Sequence, residues 1–465
     1  MMTIAIALGR GLAVGAGLLL LSCTANPPAS VNSIAPTAIF HAFNQPYSEV
    51  AGMVCTLAEQ GYSHVQISPA QKSNSGSEWW KRYQPVDHSV IEGLGSAADV
   101  AALVDRAAGC DVRIIADVVF NHMANLDHGE GAEDLSKYPN LSPSDFNIAP
   151  EDSPGAIGQK PCSINYSDGD RTTEVDCWLG GLPDLRFTDN VKAIHKAHLK
   201  RLLELGVGGF RFDAAKHMPP EILAEYIDYI DQESGGAAWS YLEVIQDNDT
   251  RPEVYGQIAP LTDFSVYRSL KAAFTYGGDL RSLPPPAIDA RSVTFGRNHD
   301  TITALNSHAI DPYDDPTDAY LATAYVLAQQ RGTPLVFNED NMAAAYVPAG
   351  VKFRQVMRQR QAAGRDTAET VLRVLDQPTA VLMARGAEGF FVVNKAAEGL
   401  DLPVLDVTLS PIEGCYRELR YGFTVTVESQ DGKKRLIQWG SGRRGLQMSD
   451  RDALYFVREP LARCQ

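Results

Sequence analysis

From residue 37 onward, short and nearly continuous apolar runs alternate with stretches whose apolar residues recur at helical spacing. AIFHAF (38–43), SHVQIS (63–68) and VRIIADVVF (112–120) read as the first three strands. Helical patterns at 47–60 and 96–109 separate them. Runs that are apolar throughout suit a parallel sheet covered on both faces. Residues 123–184 break the rhythm with Asp, Ser, Pro, Gly and Asn, and a loop of that length inside a compact domain reads better as an inserted subdomain. The alternation then resumes. A helix spans 190–206, with Val191, Ile194, Leu199, Leu202, Leu203 and Leu205 on its apolar positions. GGFRFD (208–213), SYLEVI (240–245), a weaker DFSV (263–266), SVTFGRN (292–298) and TPLVFN (333–338) supply strands four to eight. After about residue 370 the period becomes that of antiparallel strands: TAVLMAR, GFFVVN, VLDVTL, FTVTVES and KRLIQWG, separated by turn residues.

This order predicts an α/β fold: a (β/α)8 TIM barrel over 37–122 and 185–369, with a subdomain at 123–184 inserted after the third strand. A C-terminal antiparallel β domain over 370–465 is assigned to packing and stability. A doubly wound sheet is the alternative on pattern alone. No glycine-rich phosphate fingerprint follows the first strand, which weakens its dinucleotide-binding version.

The first 36 residues lie outside this scheme. GLAVGAGLLLL (11–21) is apolar but too short for a stable membrane span, so residues 1–22 read as a signal peptide. Leu20-Leu21-Ser22-Cys23 resembles a bacterial lipobox, which makes Cys23 the candidate lipidation site. Ordinary secretion is the alternative. Residues 23–36 read as a flexible tether. An exported protein, held in the cell envelope as a lipoprotein or secreted, keeps disulfides. Of the seven cysteines, six remain after Cys23. Sequence locality favours Cys162–Cys177 and Cys415–Cys464, leaving Cys55–Cys110; free buried thiols are the alternative.

Composition adds little beyond exclusion. With 45% hydrophobic and 21% charged residues the bulk of the chain is an ordinary globular protein and not disordered. A net charge of −16 argues against a nucleic-acid partner.

In a barrel, reactive side chains gather at the C-terminal ends of the strands. Those ends carry Asp117 to His122, Arg211 to Asp213 followed by Lys216 and His217, then Glu243, and finally Asn298-His299-Asp300. One Asp at a strand end is usually a helix cap. Four carboxyls, several histidines and an arginine at one mouth point to acid/base chemistry instead.

The motifs DVVFNH (117–122), GFRFDAAKH (209–217), LEVI (242–245) and RNHDT (297–301) resemble, in order, the four signature regions of the α-amylases of glycoside hydrolase family 13. GLPDL (181–185) resembles a further short motif of that family, and WWKRYQP (79–85) the sugar-stacking segment of its animal-type members, bacterial ones included. The resemblance covers roughly residues 37–460. It implies an endo-acting, retaining glycoside hydrolase that cuts internal α-1,4-glucosidic bonds of starch, glycogen and maltooligosaccharides. Asp213 would be the nucleophile, Glu243 the general acid/base and Asp300 the third carboxylate, which binds sugar hydroxyls. Arg211 should keep Asp213 ionised, and Glu243 should have a raised pKa. Trp80, Tyr83, Gln84, His122, Arg211, Lys216, His217 and His299 would contact substrate, with Lys216 and His217 on the leaving-group side. Trp79 could equally pack inward.

The resemblance also implies calcium, held by the side chains of Asn121 and Asp184 and the backbone carbonyls of Val175 and His217. Chloride is doubtful: Arg211 and Asn298 match two ligands of chloride-dependent relatives, but Leu335 stands where the third, basic one is expected. The expected partner is an α-glucan, with no membrane contact beyond a lipid anchor, and the expected state is a monomer. The rivals are a maltooligosaccharide-forming amylase or α-glucan transglycosylase, and a non-catalytic glycan-binding lipoprotein.

Overall fold

The computed structural model describes residues 35–127, 132–153, 157–167, 171–247, 250–283, 291–305, 308–372, 377–402, 404–405, 413–430, 433–438 and 445–464. The expected signal peptide, Cys23 and all of the tether except its last two residues lie outside these. No helix of the described residues is long and apolar enough to cross a membrane.

Eight strands close into a parallel barrel: Ile39–Ala42, His64–Ile67, Arg113–Val118, Gly209–Phe212, Tyr241–Leu242, Leu261–Thr262, Ser292–Thr294 and Thr333–Phe337. Closure is direct, because the first strand pairs with the last (Ile39 opposite Leu335) as well as with the second. That excludes the doubly wound alternative, whose sheet has open edges. Ile39, Ile115, Tyr241, Val293 and Leu335 belong to the apolar cluster of the barrel strands. The outward-facing residues join the surrounding helices in a larger core.

One strand expectation fails. DFSV does not form the sixth strand. Asp263 accepts a hydrogen bond from the backbone N–H of Val266 and so caps the helix Phe264–Phe274, while the sixth strand is the preceding pair Leu261–Thr262. A capping carboxylate offers the first turn a partner for an otherwise orphaned donor, and this outweighs the β-propensity of Phe and Val.

Residues 123–184 leave the barrel after the third strand and return before the helix Asp189–Glu204. They carry their own apolar cluster, including Met123, Leu135, Tyr138 and Phe146. Antiparallel bridges between His122 and Asp184, and between Phe146 and Leu185, draw the two ends of the excursion together. A disulfide joins Cys162 to Cys177, and two others join Cys55 to Cys110 and Cys415 to Cys464. The chain leaving the third strand is also held from behind. His88 donates through Nε2 to the Val119 carbonyl at 3.0 Å, and His195 stacks on Phe120 with ring centroids 4.0 Å apart. The adjoining Asn121 and His122 thus project from a fixed backbone.

A C-terminal antiparallel sheet begins at Glu369. Besides the strands expected from the pattern it includes Glu369–Leu372, Gly414–Glu418 and Asp452–Glu459. Its central Tyr455 donates to the carbonyl of Ala324 at 2.8 Å, which seats the sheet on the helix Pro316–Ala328.

Candidate active site

Register builds the centre of the site. Asp117 on the third strand lies directly opposite Arg211 on the fourth. Arg211 donates through Nη1 to both Asp117 oxygens (2.8 and 2.9 Å) and to Asp213 Oδ1 (2.6 Å). Its Nη2 reaches Glu243 Oε1. One guanidinium therefore ties the ends of three consecutive strands. Asp213 and Glu243 are held in turn by their neighbours' backbones: Asp213 N–H donates to the Val118 carbonyl and Glu243 N–H to the Phe212 carbonyl, each at 2.9 Å. Just past Asp213, Ala214 adopts a left-handed conformation, φ 47°, and points its N–H at Glu243 Oε2 (3.0 Å). A non-glycine residue rarely sits there, and one that does at a strand end marks a position where the surroundings over-determine the backbone.

Asp300 arrives from the seventh strand. Asn298 caps the short helix His299–Thr301 by accepting from the Asp300 N–H at 3.1 Å. Beyond the effect of burial, Asp300 interacts with Glu243, which pushes its carboxyl up. His299 stacks on Tyr83 and on Phe43 (centroids 5.3 and 4.7 Å). His122 donates through Nε2 to the Tyr83 carbonyl at 3.0 Å. Tyr83 in turn donates to Asp117 Oδ2 at 3.1 Å. Among the aromatic residues of WWKRYQP, Trp79 packs inward against Phe43 and donates to the Leu305 carbonyl at 2.8 Å, whereas Trp80 stays 47% exposed. Gln84 is fixed by Asn74, whose amide donates to it at 2.8 Å. Lys216 and His217 lie on the short helix that follows Ala214.

The electrostatics differ from the sequence expectation. Burial raises Asp213 well above the usual carboxylate range, even though Arg211 pulls it down. Burial and then Glu243 raise Asp300 likewise. Asp117 is pushed up to about 6 by burial, against Arg211. Burial is the largest influence and favours the proton on Glu243, but Arg211 and further contacts, the Ala214 N–H among them, together outweigh it and hold Glu243 below its ordinary value. The sequence assigns Arg211 to keeping Asp213 ionised. In the structure its single charge is divided among Asp117, Asp213 and Glu243, and Glu243 is held low while Asp300 is held high. His122 is lowered to about 4 by burial, and burial and His41 hold His299 low as well, so both rings are neutral donors or acceptors near neutral pH.

Sequence reasoning left two contributors without a role. Asp117 was one acid in a motif, and only its register opposite Arg211 reveals that it anchors the guanidinium. His41 is buried at the end of the first strand against His299, Phe43 and Phe337, and neither ring nitrogen has a partner among the described residues. Its signal was being the one polar residue within AIFHAF.

Beside this mouth, Asn121 Oδ1 and Asp184 Oδ1 are buried acceptors with no hydrogen-bond partner among the described residues. The Leu185 N–H donates to the Asn121 carbonyl at 2.9 Å, so the two segments adjoin. Val175 sits on the helix Arg171–Asp176, which is tied to the strand-four loop where Arg171 donates to the Lys216 carbonyl (2.8 Å) and His217 Nδ1 to the Glu174 carbonyl (2.9 Å). Two buried, orphaned oxygens on adjoining segments are hard donors of the kind that fit calcium. No cluster of three or more His, Cys, Asp or Glu able to hold a metal occurs among the described residues. The candidate set contains only one carboxylate, so such a cluster is not what it would present.

A family model described as the α-amylase catalytic domain matches residues 57–253. The α-amylase of Aeromonas hydrophila is 34% identical over 362 residues, covering 66% of this chain and 73% of that one. The chain belongs to the α-amylase family. The α-amylase of Streptomyces violaceus is 30% identical over 411 residues, 81% of this chain and 68% of that relative. In fold, the α-amylase I structure from Eisenia fetida superimposes with a TM-score of 0.73 at 20% identity, covering 92% of this chain and 99% of that one. The protein is thus a glycoside hydrolase built on an α-amylase barrel.

Proposed function

We propose that this α-amylase cuts internal α-1,4-glucosidic bonds by retaining double displacement, with Asp213 as nucleophile and Glu243 as acid and then base. The observation that carries this reading is the convergence of Asp213, Glu243 and Asp300 around one guanidinium at the C-terminal mouth of the barrel. A glycan-binding protein without catalysis has no use for three clustered acids that each cost desolvation. The Eisenia fetida fold relative has been solved with maltohexaose, which supports a glucan substrate.

The opposed shifts of Asp300 and Glu243 suggest how the proton is delivered. A glucose ring entering beside Asp300 takes that carboxylate for its hydroxyls, and the proton that Asp300 held passes to Glu243. Glu243 gives it to the departing glycosidic oxygen while the ionised form of Asp213, which Arg211 favours against burial, attacks the anomeric carbon. Glu243, now a base, removes a proton from water, which releases the sugar from Asp213. His299, neutral, supplies a hydrogen bond to that ring, His122 holds the Tyr83 backbone beside it, and Tyr83 forms its floor. Trp80 offers an exposed face for the next ring. Amylose should lose its iodine colour well before reducing ends accumulate, the signature of internal cuts. Parallel loss of colour and release of small sugars would indicate exo action.

Asn121, Asp184 and the carbonyls of Val175 and His217 would hold calcium, whose charge would bind the inserted subdomain to the barrel. Chelation should lower the melting temperature and expose residues 123–184 to protease, both restored by calcium, and Asp184→Asn should abolish the calcium response. Arg211 is engaged by three carboxylates, and Leu335 lies within the apolar cluster of the barrel strands. Activity should therefore be unchanged in chloride-free buffer; loss on chloride removal with recovery on its return would refute this. The disulfides support export, and the lipid anchor at Cys23, the monomeric state and the animal-type grouping are proposed on the sequence alone.

A further inference from the structure

Lys216 is more tightly held than a substrate-binding lysine on a loop needs to be. Its Nζ donates to Asp247 Oδ2 at 2.6 Å, and the pair is nearly buried, with 9% and 19% of the two side chains exposed. The other Asp247 oxygen accepts from Thr250, through N–H at 2.8 Å and Oγ1 at 2.7 Å, so the carboxylate cannot swing. Tyr166, from the inserted subdomain, lays its ring over the ammonium 4.4 Å away. The Lys216 backbone is pinned as well, its carbonyl accepting from Arg171 (2.8 Å) and from the Tyr255 hydroxyl (3.0 Å). This segment rests directly on the acid/base, because Ala215 N–H donates to the Glu243 carbonyl at 3.0 Å. The segment that carries Lys216 therefore adjoins the strand end that carries Glu243.

We propose that Asp247 is a positioning residue for the leaving-group side: it aims the Lys216 ammonium at the sugar hydroxyls beyond the scissile bond. This rests on the reading of Lys216 as a contact on that side. An ammonium on a four-carbon stem is mobile and strongly hydrated, and a fixed carboxylate removes that freedom before substrate arrives. Two of its three N–H groups remain for sugar hydroxyls, and Tyr166 limits the directions they can take.

Asp247→Asn tests this cleanly, because the amide oxygen can still accept from Thr250 while the charge facing Lys216 is lost. Two substrates separate positioning from damage. Maltopentaose places glucose units on the leaving-group side, and an aryl maltotrioside places only the aryl group there. For maltopentaose, Asp247→Asn should raise KM about tenfold, the cost of one charge-assisted hydrogen bond, with little change in kcat. For the aryl substrate both constants should stay near wild type, and Asp247→Glu should recover part of the loss. Lys216→Met should show the same selectivity, and the double variant should be no worse than Lys216→Met alone. Equal losses on both substrates, or independent additive effects, would overturn the role of Asp247. No effect of Lys216→Met on maltopentaose would overturn the underlying assignment of Lys216, and with it the proposal.

Discussion

Glu243→Gln should lose about 10^2- to 10^4-fold in turnover of soluble starch, the usual contribution of a positioned general acid. The amide keeps the shape of the side chain and can still accept from the Ala214 N–H, so folding should survive. The loss should shrink sharply on an α-maltosyl fluoride, whose leaving group departs without a proton. Asp213→Asn, by contrast, should be inactive on starch and on the fluoride alike, because no covalent bond to the sugar can form. The pair of substrates thus separates the two roles. Equal activity of Glu243→Gln and wild type on starch would sink the assignment.

The second large effect concerns Arg211. Replacing it by Met leaves Asp117, Asp213 and Glu243 buried around an apolar side chain, whereas each now receives a hydrogen bond from the guanidinium. Breaking a buried ion pair from one side costs about 3–5 kcal/mol, so urea unfolding should shift by that amount. The pH profile should move as well. Arg211 pulls the Asp213 pKa down against burial, so its removal raises that pKa further. The ionised nucleophile is then populated only at higher pH, and the acid limb of kcat/KM should shift upward. Arg211→Lys should recover part of the stability but little activity, since one ammonium cannot span three carboxyls in a plane. A variant with unchanged stability and an unchanged acid limb would show that Arg211 does not hold the site together.

The long elements were legible in the chain because their periodicity is strong. VRIIADVVF and the helix with Val191, Leu199 and Leu202 fall where the pattern put them. The fifth and sixth barrel strands are only Tyr241–Leu242 and Leu261–Thr262, too short to carry a period. DFSV was mistaken for a strand for that reason, since nothing local distinguishes a strand end from the Asp cap that opens the next helix. Among the site residues, motif order placed Asp213, Glu243 and Asp300. Their protonation was not legible. It depends on how one guanidinium divides among carboxyls that are distant in sequence but adjacent across strands, and so the expected raised Glu243 gives way to a lowered Glu243 and a raised Asp300. The Lys216–Asp247 pair was hidden for the same reason, because each partner follows a different strand.

Double displacement at Asp213 makes one demand that no single-step mechanism shares: the new reducing end must first appear with the configuration of the bond that was cut. Proton NMR of freshly hydrolysed maltopentaose, recorded before mutarotation, reads this directly. The α-anomer signal should rise first and the β-anomer follow at the spontaneous rate. Initial appearance of the β-anomer would contradict a glycosyl-enzyme on Asp213.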